Sequence, residues 1–327
     1  MSNDHFVSQT YLKHFGDAIA GGMLHAYRKK DGKEFPCWPC DVCSEWDGDS
    51  NPLLQYQKLL GEFRKIFEPH WNASVANVVQ EKTAYNDKYV ISGFMANLMA
   101  CTPTWRRVGG VMTQQMTTAR LSFAKRMKVK HGEQPELDVE AIEMLERGEI
   151  VMEPNLDYIK GLATKHLIPY SLAIYDLDWI IWQNTSTEPF ITSDYPLSLS
   201  YTGSPRDPMY RILPITPQVA IEIRFDPLRE PMRTELSSEE LEARLALPSA
   251  GKIIYAQCDA DRVSRFNVIQ ARSAENLVFS SERSDSTRKL VQDASKYQMG
   301  IRYVELPDPA GDPNAILMGT VLGVWEH

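Results

Sequence analysis

Four residues of this 327-residue chain have side chains suited to acid–base and phosphate chemistry: His5, Glu68, Arg106 and Asp194. A histidine gives or takes a proton near pH 7. A carboxylate at the end of a strand can hold a metal, orient a histidine or act as a general base. An arginine grips a phosphate with two parallel N–H donors, which a lysine does less well. Asp194 lies in Thr192-Ser193-Asp194-Tyr195-Pro196, directly after the apolar pair Phe190-Ile191. The expectation is therefore a hydrolase acting on a phosphodiester or nucleotide, a nuclease included, with a divalent metal as candidate cofactor and nucleic acid or nucleotide as candidate partner. His5 would be the general acid/base, with Asp194 and Glu68 the catalytic carboxylates. Arg106 would clamp phosphate, with Tyr11, Ser193 and Asn267 as further substrate contacts.

Every one of these residues also has a framework reading. Ser-Asp-x-Pro is good turn chemistry, so Ser193 and Asp194 can cap nearby backbone N–H groups. His5 can anchor the N-terminal segment. Glu68 needs a partner if buried, and Arg106 or Arg107 can supply one. Asn267 can cap a loop. Together these readings make the alternative, a non-catalytic binding or interaction module.

Three cysteines stand close together, Cys37, Cys40 and Cys43. Their spacing can offer three thiolates to one zinc, but no second close pair follows to complete a tetrahedron. The other option is a plain loop with buried thiols. The charge is uneven. From Thr102 to Gly132 there is no acidic residue, and seven Lys and Arg lie between Arg106 and Lys130. A run of acids follows, from Glu133 to Asp157, opposed by Arg147. Either adjacent helices neutralise each other there, or the basic stretch meets a phosphate-bearing ligand.

Lys and Arg number 35 against 43 Asp and Glu, a net −8, which disfavours a general nucleic-acid coating protein. Apolar residues at 43% and charged residues at 24% exclude wholesale disorder. No apolar run reaches the ~20 residues of a membrane helix, and the start is polar, so a soluble cytoplasmic protein is expected. There is no phosphate loop, dinucleotide fingerprint, nucleophile elbow or H-E-x-x-H zinc motif.

Hydrophobic periodicity places the elements that must position these residues. A hairpin turning at Asp31-Gly32 is expected between Leu24 and Phe35. Helices are expected over Pro52–Gln80 with a restart at Pro69, over Asp87–Arg107 with a break near Pro103, and over Met112–Lys130. Others follow over Asp138–Arg147 and Leu156–Tyr175, the latter kinked at Pro169. Strands then dominate: Trp179–Trp182, Phe190–Thr192, Arg211–Pro214, Val219–Ile223 and Leu277–Phe279. Helices are interspersed over Ser237–Leu247, Asp259–Ala274 and Ser286–Tyr297. Helices early and strands late imply α+β, a helical region at about 52–175 packed on a mainly antiparallel sheet from about 178–327 with the N-terminal hairpin. Without repeats or linkers, a single domain over 1–327 is expected.

The run His5-Phe6-Val7-Ser8-Gln9-Thr10-Tyr11-Leu12-Lys13-His14-Phe15 resembles the opening His-x-Val-Pro-x-x-Tyr-Leu-Arg-x-Phe of an uncharacterised bacterial family, domain of unknown function 4238. Ser8 stands where that family usually has Pro, and Lys13 where it often has Arg. The stretch from Cys101 to Arg106 is similar to its Arg-Thr-Pro-x-x-Arg helix, with Cys101 for the leading Arg. The stretch from Phe190 to Pro196 resembles its Phe-x-Thr-Ser-Asp-x-Pro motif, and Leu213 to Pro217 its Leu-Pro-Leu-Ser-Pro strand. Asn267 through Val278 resembles its closing segment. The resemblance runs in order along most of the chain, and implies no activity because the family has none agreed.

Overall fold

The polar start of the chain is held as a strand by pairing rather than by its own hydrophobicity. Strand β1 (Asn3–His5) pairs antiparallel with β4 (Ser44–Trp46), which sets Asp4 opposite Glu45. Between them lie the short helix α1 (Gln9–Leu12), capped by the Ser8 hydroxyl, and the hairpin of β2 (Leu24–Arg28) and β3 (Glu34–Cys37). The hairpin turns where expected, and Gly32 takes a left-handed φ of 65° that glycine adopts at least cost. The computed structural model describes residues 3–130, 139–200, 209–224, 239–240, 244, 247–306 and 317–326.

The helical region differs from its sequence pattern at its first start, in one helix that runs unbroken from Pro103 through the expected gap before Met112, and in the division of its last helix. Helix α2 (Leu59–Phe67) begins seven residues later than Pro52, because Asn51 turns the chain first. Its Oδ1 accepts from the Leu53 N–H, and its Nδ2 donates to the Asp157 carbonyl. Such local bonds compete with helix. A 3-10 turn over Glu68–His70 then leads into α3 (Trp71–Val79), so Pro69 does interrupt the run. Helix α4 (Tyr85–Cys101) is buried almost all round, and α5 (Pro103–Lys130) starts on the proline that ends it. Helix α6 (Val139–Glu146) packs on α5, where Lys125 pairs with Glu143 at 2.9 Å and Glu146 at 3.5 Å. At that contact the basic and acidic stretches neutralise each other. The next expected helix is two, α7 (Leu156–Lys165) and α8 (Leu167–Asp176), broken at His166. Pro169 has no N–H, and its ring rejects the carbonyl four residues back, that of Lys165.

The strand region forms a five-stranded sheet with helices on both faces. Its strands are β5 (Trp179–Asn184), β7 (Ser198–Ser200), β8 (Tyr210–Thr216), β9 (Val219–Arg224) and β10 (Ile253–Cys258), in the order β10-β5-β9-β8-β7. Alternation along each strand divides the core. Trp179, Ile181, Leu213, Ile221 and Ile223 face the helices, joining Tyr11, Trp71, Phe94 and Leu98. Trp182, Ile212 and Ala220 face the other way, against Val263 and Phe266 of helix α9 (Ala260–Ser273). The pairing is antiparallel except for β10, which lies parallel to β5 and has no counterpart in the periodicity reading. A second sheet runs β3-β2-β11-β6, with β6 (Thr192–Ser193) and β11 (Leu277–Ser280) closing on the hairpin. Helix α10 (Asp285–Ala294) follows, and then the long hairpin of β12 (Tyr297–Leu306) and β13 (Leu317–Glu326), which was not expected. The fold is α+β. Most of the Ser237–Leu247 helix expectation lies outside the described residues.

Lys88, fully buried on α4, ties helices to sheet by donating to the Leu177 and Gly251 carbonyls and the Ser249 hydroxyl. Gly93 lets α4 approach α2, since a Cβ there would lie 2.2 Å from the Phe67 ring. Gly93→Ala is therefore expected to destabilise the chain by about 1–3 kcal/mol in urea denaturation, although alanine is the better helix former. An unchanged or raised midpoint would refute this packing.

Candidate functional site

Asp194 follows β6 and is buried, and backbone N–H groups occupy its carboxylate. Oδ1 accepts from Glu275 at 2.9 Å, and Oδ2 from Asn276 at 2.8 Å and Leu277 at 3.0 Å. Burial pushes the carboxyl up to about 6, against the pull of those three donors. The carbonyls of the same turn belong to Lys29, which follows β2. Its Nζ donates to Arg272 O at 3.2 Å, Ala274 O at 2.7 Å and Tyr297 O at 2.9 Å. Burial lowers this amine to about 8, with Asp194 and Glu275 opposing. Two oppositely charged side chains thus take both the donors and the acceptors of the turn between α9 and β11. No sequence signal singled out Lys29 among Arg28, Lys30 and Lys33.

The other motif side chains are similarly engaged. Ser193 Oγ accepts from the Tyr195 N–H at 3.1 Å and from Gln270 Nε2 at 2.6 Å. Asn267 Oδ1 accepts from the Ile191 N–H at 3.1 Å, while Nδ2 donates to Pro189 O at 3.0 Å. The Tyr11 hydroxyl donates to Pro214 O at 2.6 Å and lies 2.6 Å from Thr192 Oγ1. All of these side chains are buried. The turn, cap and anchor roles are the ones their atoms fill.

His5, Glu68 and Arg106 gather elsewhere, around the β1–β4 ribbon. Arg64 joins them: it pairs with Asp49 at 2.6 Å, donates to the His5 carbonyl and lies 3.5 Å from Glu68. Arg106 Nη2 donates to both carboxylate oxygens of Glu45. Asp4 and Glu45 are like charges directly opposite on a ribbon, an unfavourable pairing that the arginines offset. Asp49 is buried, and its pKa is raised by that burial despite Arg64. His5 is half-buried, with Nε2 3.3 Å from Cys40 O and the Gln9 amide 3.4 Å from Nδ1. Burial lowers its pKa from 6.5, so the imidazole is neutral at pH 7. Arg64 and Asp49 were not singled out in the sequence, though the four-residue spacing of Arg64 and Glu68 was a readable signal.

The turn held by Asp194 and Lys29 floors a cleft of about 440 Å³, lined by Lys29, Lys30, Glu275, Asn276, Ser295, Lys296, Tyr297 and Gln298. Glu275 is neutralised by a two-pronged pair with Arg107 at 2.7 and 2.8 Å. Burial pushes this carboxyl up, but Arg107 outweighs burial and leaves it below its usual value. Lys296 pairs with Glu326 at 3.0 Å. Among the described residues Lys30 and Arg272 form no ion pair, and the Arg272 guanidinium lies 4.1 Å over the Tyr297 ring. The cleft is therefore positive.

Cys37 and Cys43 are buried, Cys40 is exposed, and burial pushes the Cys37 thiol up to about 11. Among the described residues no three His, Cys, Asp or Glu side chains are placed to hold a metal ion. Nor is any described helix long and apolar enough to cross a membrane.

The family described as protein of unknown function (DUF4238) matches residues 3–284, and the chain belongs to it. No curated protein and no solved structure matches the chain.

Two stability measurements probe these charges. Because the Asp194 carboxyl titrates near 6 when folded and near 4 when unfolded, the folded state holds an extra proton between those values, and stability falls as pH rises through them. The wild type should lose about 2–3 kcal/mol relative to Asp194→Asn between pH 4 and pH 6; a pH-independent difference would contradict this. Arg64→Met strands a buried Asp49 and should cost about 3–5 kcal/mol. Adding Asp49→Asn should restore most of that loss, and failure to do so would show that the pair is not the cause.

Proposed function

We propose that this chain binds a phosphate-bearing, nucleotide-like ligand in the cleft above the Asp194 turn, with the Ser-Asp motif as its scaffold. The observation that carries this is the cleft's charge: its carboxylate is neutralised by Arg107, Lys30 in its lining keeps its positive charge uncompensated among the described residues, and the Arg272 guanidinium borders it, stacked on the lining ring of Tyr297. A phosphate is held by such cations through charge-assisted bonds. The guanidinium of Arg272, stacked on Tyr297, offers a planar face to a base, as arginine does in nucleic-acid sites. The motif residues fit this role because a rigid floor keeps the cations in place.

A hydrolytic centre at His5 is the second reading, favoured by one observation. A half-buried imidazole, neutral at pH 7, lies with Glu68 around Arg64. A neutral imidazole is competent as a general base. In this reading Asp194 stabilises the fold and takes no part in turnover.

Calorimetric titration with adenosine 5′-monophosphate and with adenosine tests the first reading. The monophosphate should bind more tightly, lose affinity as salt rises, and bind at least about tenfold more weakly to Lys30→Glu/Arg272→Glu. If the two ligands bind equally, or the double variant binds as the wild type does, the cleft is not a phosphate site. Phosphate release from the monophosphate or an oligonucleotide, lost in His5→Ala with Tm unchanged, would establish the second reading instead.

A further inference from the structure

A buried guanidinium has five N–H groups to satisfy and cannot shed its proton to lower the cost of burial. Arg211, on β8, is 3% exposed, and among the described residues it forms no ion pair. Its hydrogen bonds all leave from one nitrogen. Nη1 donates to the Tyr195 hydroxyl at 3.1 Å and to the Leu197 carbonyl at 3.3 Å. Nε and Nη2 have no partner among the described residues, and neither is among the orphaned atoms closed off from water. By contrast, buried Lys29 and Lys88 each donate to three oxygens, and Arg106 is paired with Glu45.

The free edge has a precedent within the chain. Where Arg28 meets Asp31, and where Arg107 meets Glu275, Nε and Nη2 take the two carboxylate oxygens side by side at 2.6–2.9 Å. This fork matches a planar carboxylate. Arg211 offers the same edge in an apolar, aromatic setting. Alternation places it on the helix-facing side of the sheet with Leu213, and the register sets it opposite Leu199 on β7. Trp105 of α5 packs against the clusters of both leucines. Tyr170 of α8 lies within the field of Arg211: burial raises its hydroxyl above the ordinary pKa, and Arg211 is the charge that opposes the rise. That hydroxyl also has no partner among the described residues. Tyr170 and Trp105 are half-buried, and Arg211 stands one residue inside the end of the β7–β8 ladder, which stops at Ser200 and Tyr210. One cation among apolar walls matches a singly charged ligand better than a phosphate, which brings up to about two charges.

We propose that Arg211 anchors a second ligand site, for a small aromatic monocarboxylic acid. The carboxylate lies on the Nε–Nη2 edge and accepts from the Tyr170 hydroxyl, and the ring lies against Trp105. The site shares no residue with the phosphate cleft.

Titration of the full chain with benzoate and with benzamide, followed by ligand-observed NMR and calorimetry, tests this. Benzoate should bind at least about tenfold more tightly, because the amide turns a donor toward the guanidinium where the carboxylate accepts. Arg211→Met should lose benzoate binding together with the rise in Tm that benzoate gives the wild type. If Arg211→Met does not fold, Tyr170→Phe decides: it should stay folded and weaken benzoate by about tenfold while leaving benzamide nearly unchanged. Lys30→Glu/Arg272→Glu should bind benzoate within about twofold of the wild type. The proposal is overturned if benzoate does not bind at about 10 mM, if benzamide binds as tightly, or if Tyr170→Phe keeps the wild-type ratio. It also fails if the cleft variant loses benzoate, which would place the acid on Lys30 and Arg272 instead.

Discussion

A buried carboxylate and a buried ammonium hold one turn from opposite sides, and much of the C-terminal architecture depends on that arrangement. The turn between α9 and β11 must reverse the chain with one side against the core while Glu275 and Asn276 face the cleft. Its carbonyls are the unpaired acceptors of a helix C-terminus, and its N–H groups have not yet entered the sheet. Lys29 takes the carbonyls of Arg272 and Ala274, and Asp194 takes the N–H groups of Glu275, Asn276 and Leu277. The backbones of both charged residues also bond to the turn, Lys29 N–H to Asn276 O and Asp194 N–H to Leu277 O. Lys29 reaches further, to Tyr297 O at the start of β12, so the long hairpin is fixed to the same point. A cation at a helix C-terminus also complements the helix dipole. Each charge is costly to bury alone, and each offsets part of that cost for the other.

The β1–β4 ribbon shows the same logic with different residues. Three-residue strands with polar side chains cannot hold themselves to the body by hydrophobic burial. Arg64 binds the ribbon's backbone at His5 and the Asp49 carboxylate beyond β4, and Arg106 binds Glu45 within it. Helix α2 and the turn that follows it carry both kinds of contact, Phe63 and Phe67 inward and Arg64 and Glu68 toward the ribbon, because residues four apart share a face. A buried ionic attachment of this kind adds less net stability than an apolar one of equal volume. It does fix which edges meet, since only one alignment of the ribbon brings Glu45 to Arg106 and Asp49 to Arg64.

Periodicity revealed most of the elements and few of the contacts. The runs of α4, β5, β8, β9 and α9 can be read in the sequence from their apolar residues: α4 is buried almost all round, the strands lie between two cores, and α9 turns one face to one of them. Strand β10 was not readable: it pairs parallel to β5 at the sheet edge, and no tight turn marks its arrival. The start of α2 was displaced by a side-chain turn at Asn51 that competes locally with helix. The candidate site was legible as residue types only. Asp194 and Lys29 stand 165 positions apart in sequence, and Arg107 and Glu275 pair across 168. A sequence shows that such charges exist, while the identity of each partner is decided by topology.

That distinction also bears on where chemistry can occur. A side chain whose donors and acceptors are all engaged by backbone cannot exchange protons or grip a ligand without first releasing part of the fold. Asp194 and Asn267 are engaged in this way by backbone groups, and Tyr11 by the Pro214 carbonyl and the Thr192 hydroxyl, so these side chains build the turn and the sheet. The groups able to meet a ligand are those beside them that the framework leaves exposed, the lysines and the stacked arginine around the cleft. On this reading motif and site are adjacent layers of one structure. The inner layer is satisfied and rigid, and its rigidity keeps the outer cations positioned against their mutual repulsion.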